Sequence, residues 1–158
     1  MTSGIPFESA DLNVKSEWID HNGHMNVAYY LVAFDEAIGD LFRSLGLDRN
    51  YRKKNKIATY CGDFHIRYVR ELHEHAPLKI QSQLIACDEK RIHLCQSMYN
   101  ASEEYLAAQS EVIYLHIDLH TKRVGPMADV LFTRVNAMCE EHSTLPKPDN
   151  FGRIIGLS

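Results

Sequence analysis

The spacing of apolar and polar positions changes twice along the chain, and each change marks an element. Residues 11–19, DLNVKSEWI, alternate Leu12 and Val14, then Ser16 and Trp18, with charges between them, which predicts a half-buried strand. Asp20-His21-Asn22-Gly23 is a run of turn formers that ends it. Beyond the turn, Leu31, Phe34, Ile38, Leu41, Phe42 and Leu45 recur at three- and four-residue intervals and form the apolar stripe of one long helix. Asn26 is placed to cap its start, and Gly46 followed by Leu47 to stop it. The basic, polar stretch DRNYRKKNK after it reads as a loop.

From Ile57 to Thr121 the period is mostly two. Phe64, Ile66 and Tyr68 define one strand; Leu78, Ile80, Ser82 and Leu84 a second; Ile92, Leu94, Gln96 and Met98 a third; Ile113, Leu115, Ile117 and Leu119 a fourth. Polar breaks at residues 73–77, 88–91 and 100–104 are short enough to be hairpin connections, so antiparallel pairing is expected. Helical spacing returns over Ala128 to Glu141, and the tail LPKPDNFGRIIGLS is irregular. A long apolar helix needs a sheet to cover it, so the order predicts an α+β domain, residues 1–158, with one antiparallel sheet curled round the first helix and a C-terminal helix. An edge strand carrying exposed apolar side chains invites a second copy, hence an expected homodimer or tetramer.

Composition narrows the class. The 158 residues are 45% hydrophobic and 24% charged with few Gly or Pro, ordinary values for a globular domain, and a length suited to one core. The net charge of −4 argues against nucleic acid as the main partner, because binding phosphates needs a clustered basic surface. There is neither an apolar run long enough to span a bilayer nor a basic-then-apolar start, so no membrane association is expected and a cytoplasmic location is. Cys61, Cys87, Cys95 and Cys139 are far apart in sequence, three of them in apolar patterns, and read as reduced core thiols.

The densest polar grouping is the stretch from Trp18 to Tyr30, WIDHNGHMNVAYY, which sets a carboxylate, two imidazoles and two amides just before a helix start. Unpaired N–H groups and the positive end of the helix dipole can hold a developing oxyanion there, while a carboxylate attacks a carbonyl or activates water. The same residues also suffice for a plain turn and helix cap, with Asp20 and Asn22 in the turn and Asn26 as the cap.

The segment WIDHNGHMNVAYYLVAFDEA resembles the signature of hotdog-fold acyl-CoA thioesterases of the 4-hydroxybenzoyl-CoA thioesterase type, with Asp20, Gly23 and Tyr30 at the motif positions and Phe34, Glu36 and Ala37 on the helix. Its Gly-His-Met-Asn form, ending at Asn26, is similar to the branch associated with carnitine dehydrogenases, which acts on betainyl-CoA. The resemblance covers roughly residues 10–125 and implies that one hotdog subunit hydrolyses a short acyl-CoA, most specifically betainyl-CoA, to free acid and CoA, with part of the site coming from a second copy. It makes Asp20 the nucleophile or general base and the Val27 N–H the oxyanion donor. No strong general acid is required, because a thiol leaving group titrates near pH 8.5. His24-Met25-Asn26 replaces the apolar and aromatic residues of the 4-hydroxybenzoyl branch, with His24 and Asn26 as candidate contacts to the acyl group or water. A related branch draws its carboxylate from the strand after the long helix, where Asp63 and Glu71 are available; Glu71, near Arg67 and Arg70, reads more simply as a surface ion pair.

Phosphates of CoA call for Lys or Arg. Lys90-Arg91 and Lys122-Arg123 stand where the resemblance implies nucleotide contacts, whereas Arg52, Lys53, Lys54 and Lys56 form a run of the kind that usually faces solvent. A trimethylammonium acyl group would be held by aromatic faces, and Trp18, Tyr29, Tyr30 and Tyr60 are candidates, although aromatic residues at a helix start also serve simply as core. No cofactor is expected beyond the CoA carried by the substrate. No metal is expected either: His116 and His120, four apart on a strand, are separated by about 13 Å, too far to share an ion. Two other readings remain open: a thioesterase for medium-chain or aryl acyl-CoA, and a hotdog module that binds acyl thioesters without turning them over.

Overall fold

The computed structural model describes residues 4–157. Strands β1 (Phe7–Glu8) and β2 (Leu12–Asn13) precede helix α1 (Val27–Leu45) and helix α2 (Arg49–Asn55); β3 (Ile57–Tyr68), β4 (Pro77–Cys87), β5 (Arg91–Asn100), β6 (Tyr105–Asp118) and β7 (Arg123–Val124) follow, and α3 (Asp129–His142) ends the regular structure. One antiparallel sheet runs in the order β1-β4-β5-β6-β3, with β2 also on β4 and β7 on β6. It is not closed, and it wraps α1. This is the hotdog arrangement that the resemblance implies, and the four long strands cover the stretches of period two, although in β6 Val112, Tyr114 and His116 are the buried face while Ile113 and Leu115 are half-buried and Leu119 lies exposed beyond the strand.

Three expectations need correction. Residues 11–19 do not form one strand: only Leu12 and Asn13 belong to one, Ile19 makes an isolated bridge to Met25, and Ser16–Trp18 make a single 3-10 turn that bends the chain toward the start of α1. The basic loop is instead helix α2, capped by the Asp48 carboxylate on the Tyr51 N–H at 2.8 Å and stopped by Lys56 in the left-handed region at φ 51°. Capping at both ends makes up for the lack of a buried side chain. The thiols also differ from a uniform core set. Cys95 is buried, and burial pushes its pKa to about 12; Cys87 and Cys139 are neighbours and half-buried; Cys61 is exposed on β3.

Helix α1 packs by its stripe. Tyr30, Ala33, Phe34, Ala37, Ile38, Leu41, Phe42 and Leu45 are buried at the expected intervals. Leu31, which the pattern counts with them, is 43% exposed, and Tyr30 takes the inward place in that turn. The C-terminal half of α1 shares a core with Leu84, Leu94, Val112 and, from α3, Leu131 and Val135; the N-terminal half shares another with Trp18, Leu72, Ile80 and Met98. Gly46 ends α1 in the left-handed region at φ 87°, donating to the Arg43 and Phe42 carbonyls. Buried His142 fastens α3 to the sheet: its Nδ1 accepts the Leu84 N–H at 2.9 Å, where β4 is bulged between Leu84 and Ala86.

Candidate active site

Two backbone links fold residues 18–26 against the start of α1. Asn26 N–H donates to the Trp18 carbonyl at 2.8 Å, and Met25 N–H to the Leu72 carbonyl at 2.8 Å. Within that clamp the Asp20 N–H reaches the His24 carbonyl at 3.0 Å, the Gly23 N–H reaches the Asp20 carbonyl at 3.0 Å, and Gly23 sits at φ 79°, where a side chain would be strained. Asp20 Oδ1 accepts the Asn22 N–H at 2.8 Å. The Asx turn inherent in the sequence is therefore present, and it orients the carboxylate rather than consuming it, since each oxygen has further acceptor capacity.

At the helix start, Asn26 Oδ1 accepts the Ala28 N–H at 3.0 Å and the Asn26 carbonyl accepts the Tyr29 N–H at 3.0 Å. Among the described residues nothing accepts from the Val27 N–H. An open donor at the positive end of a 19-residue helix, beside a half-buried carboxylate, is what acyl transfer needs for an oxyanion. Asn26 therefore serves as the cap through Oδ1, and its Nδ2 remains a donor for an acyl group or water.

The aromatic candidates separate. Trp18 is 3% exposed, stacked on Tyr29 at 5.6 Å between centroids, with Lys15 Nζ 4.9 Å from the indole; it is core and offers no open face. Tyr30 is equally buried, with its hydroxyl turned to the Leu72 backbone; burial pushes its pKa to about 12. Tyr29 is half-buried at the site. Tyr60 is exposed but at the opposite end of β3 from Tyr68, eight residues or about 26 Å away, so within one chain it does not reach Asp20.

Tyr68 is the residue that sequence reasoning passed over. Its ring meets Tyr30 edge-on at 5.1 Å, its hydroxyl donates to the Val27 carbonyl at 3.1 Å, and it is 47% exposed. The alternation had assigned it inward with Phe64 and Ile66; its position at the end of the edge strand, where nothing covers it, is not visible in a periodicity. Val27, Leu31 and Val69 are exposed around it, making an apolar surface at the mouth of the site.

His24, Glu71 and His73 also meet here, with their ligating atoms all within 4.8 Å of one another, a grouping the sequence spacing does not show. Glu71 forms no ion pair with Arg67 or Arg70, contrary to expectation: the Arg70 guanidinium lies over the Tyr105 ring at 3.9 Å, and the Tyr105 hydroxyl donates to the Glu71 carbonyl. Its carboxyl is held below the usual range by its own backbone and the neighbouring imidazoles. Asp63, the other acid considered, is exposed on β3 near His65 and Glu111 rather than near Asp20.

The basic pairs lie at the Tyr60 end. Arg91 aligns with Leu115, which aligns with Tyr60, and Arg123 aligns with Asp118. Lys90 and Arg91 border a groove of about 870 Å³ with Leu115, Val124 and Phe132. Arg91 is already engaged by Asp88, its Nε 2.7 Å from the carboxylate, while Lys90 is exposed and makes no salt bridge among the described residues. Neither Lys122 nor Arg123 borders that groove, although Val124 beside them does.

A sheet wrapped on one long helix, with a carboxylate turn against an open helix start, defines a hotdog-fold enzyme. The chain belongs to the thioesterase-like superfamily, whose family model matches residues 14–135. It is 34% identical over 144 residues to the betainyl-CoA thioesterase of Pseudomonas aeruginosa, covering 91% of each chain. It is 29% identical over 151 residues to the L-carnitine dehydrogenase/betainyl-CoA thioesterase of a Rhizobium species, matching 96% of this chain but only 30% of that longer protein. Among solved structures, a hypothetical protein of Staphylococcus aureus in complex with CoA superposes with a TM-score of 0.92 at 25% identity over 100% of this chain and 99% of that one. A putative thioesterase of Pseudomonas putida gives 0.82 at 28% identity over 97% of both. No helix among the described residues is long and apolar enough to cross a membrane.

Proposed function

We propose that this chain hydrolyses betainyl-CoA to betaine and CoA. The observation that carries the chemistry is the open Val27 N–H beside the Asp20 turn; the relationship to the Pseudomonas aeruginosa enzyme supports the acyl group. In this reading the thioester carbonyl points at the Val27 N–H, which stabilises the oxyanion. The Asp20 carboxylate either takes a proton from the water that attacks the carbonyl carbon and returns it to the departing CoA thiolate, or attacks that carbon itself, expelling the thiolate and forming a mixed anhydride that water then hydrolyses to betaine and free Asp20, the water's proton going to the thiolate. Tyr29 and Tyr68 offer the ring faces nearest the site for a trimethylammonium group.

The working unit in this proposal is a homodimer. β3 is a 12-residue edge strand with unpaired backbone groups on its outer side and exposed Tyr60, Tyr68 and Val69. Antiparallel pairing of two β3 strands would lay the Tyr60 end of one copy against the Tyr68 end of the other, bringing Tyr60, Lys90 and Arg91 of the second copy toward Asp20 and Val27. That pairing reconciles the distance between carboxylate and basic residues within one chain with a single acyl-CoA spanning both.

One observation favours an uncharged acyl group instead: Val27, Leu31 and Val69 make the mouth apolar, while Trp18 and Tyr30 are buried and unavailable to a cation. Thiol release from a panel of acyl-CoAs decides. A strong preference for betainyl-CoA over its uncharged tert-butyl isostere supports the proposal; equal or better turnover of the isostere, or of medium-chain and aryl thioesters, replaces it, and no release from any member points to a binding module.

A further inference from the structure

The backbone link between Met25 and Leu72 has a second effect on the side chains beside it. Leu72 is fully buried and Met25 nearly so, whereas Glu71 and His73 are exposed and His24 is half-buried. Glu71 and His73, on either side of Leu72, come together with His24, which precedes Met25, their ligating atoms within 4.8 Å of one another. The His24 and His73 rings meet edge-on at 5.0 Å between centroids. The rival partners of these groups are occupied: Arg70 lies on Tyr105, and His75 pairs with Glu74 at 3.5 Å.

We propose that His24, Glu71 and His73 form a binding site for a divalent zinc-class ion, which staples the loop carrying Asp20 to the segment following β3. Two borderline imidazole nitrogens and one harder carboxylate oxygen form a donor set suited to zinc, with a fourth position left to water. Donor atoms each about 2.1 Å from one ion lie at most about 4.2 Å apart, so the 4.8 Å spread closes with small rotations of side chains, two of which are exposed. The ion would add a second link beside the Met25 to Leu72 hydrogen bond, and Asp20 is one step away through its N–H on the His24 carbonyl.

Calorimetric titration of the full chain with Zn²⁺ near neutral pH tests this, with thermal melting in the same buffers. The expected result is one strong site per chain and a rise in melting temperature, because an ion that binds only the folded state stabilises it. His73→Ala and Glu71→Gln, both exposed substitutions, weaken binding about tenfold or more and abolish the melting shift. His21→Ala and Cys61→Ser, which remove rival ligands elsewhere, leave both unchanged. The proposal is overturned if the native chain takes up no ion at ~100 µM free Zn²⁺, or if the His73 and Glu71 variants titrate like the native chain.

Discussion

The Tyr68 hydroxyl donates to the carbonyl of Val27 at 3.1 Å, tying the end of the edge strand to the first turn of the helix. That carbonyl belongs to the residue whose N–H is the proposed oxyanion donor, so the strand end and the donor are mechanically linked. Tyr68→Phe keeps the ring against Tyr30 but removes the link. The expected outcome is a fall in kcat of several-fold with little change in melting temperature, because the bond is partly exposed and worth about 1 kcal/mol. Unchanged kcat would show that the helix start is held without it.

Asp20→Asn preserves the acceptor for the Asn22 N–H and so the turn, while removing the charge. Steady-state kinetics should show kcat lower by about a hundred- to ten-thousand-fold with an unaltered circular dichroism spectrum. Near-native turnover would remove Asp20 from the mechanism.

Asn26 divides the two readings of the loop. As a cap it holds the Ala28 N–H, and Asn26→Ala should cost about 1 kcal/mol in denaturant unfolding. Asn26→Asp, another good cap, should restore that stability. If Asn26→Asp is stable but discriminates poorly between acyl groups, Asn26 touches substrate as well.

A shared site predicts complementation. Chains carrying Asp20→Asn and chains carrying Lys90→Ala with Arg91→Ala should each be weak alone. When co-refolded, half the dimers are mixed and each mixed dimer has one intact site, so activity should recover to about a quarter of native. Failure to recover would place both functions within one chain.

Stability should fall on mild acidification. Burial holds the pKa of His116 and His142 below the ordinary histidine value; His116 Nδ1 faces the Gly125 carbonyl at 2.9 Å, and His142 Nδ1 accepts from Leu84. The unfolded chain therefore takes up protons first, near pH 6.5, and the stability present above that value is lost as pH falls toward the lower folded-state values. Melting temperature should be flat between about pH 7 and 8 and decline below about 6.5. In His142→Phe, which cannot be protonated, part of that decline should vanish, although the Leu84 N–H left without a partner lowers stability at every pH by about 1–3 kcal/mol.

Periodicity and turn chemistry were enough to read α1, the four long strands and α3, since each buries one face against a common core and the chain must repeat accordingly. The motif from Asp20 to Tyr30 was legible for a related reason: a turn needing Gly23 and a cap needing Asn26 are local, and local constraints leave marks in adjacent residues. Where a partner lay far away in sequence the reading faltered. The inward turn of Tyr30 in place of Leu31, the burial of Trp18, the outward Tyr68 and the distance of Tyr60 from Asp20 all depend on which strand ends at the sheet edge. The gathering of His24 with Glu71 and His73 depends on contacts across 47 residues, among them the Met25 to Leu72 hydrogen bond and the core that both share. The elements and the candidate carboxylate are written in the linear chain, because they follow from neighbours along it. Which aromatic faces are open, which cations are engaged and which imidazoles meet is set by packing, because those follow from neighbours in space.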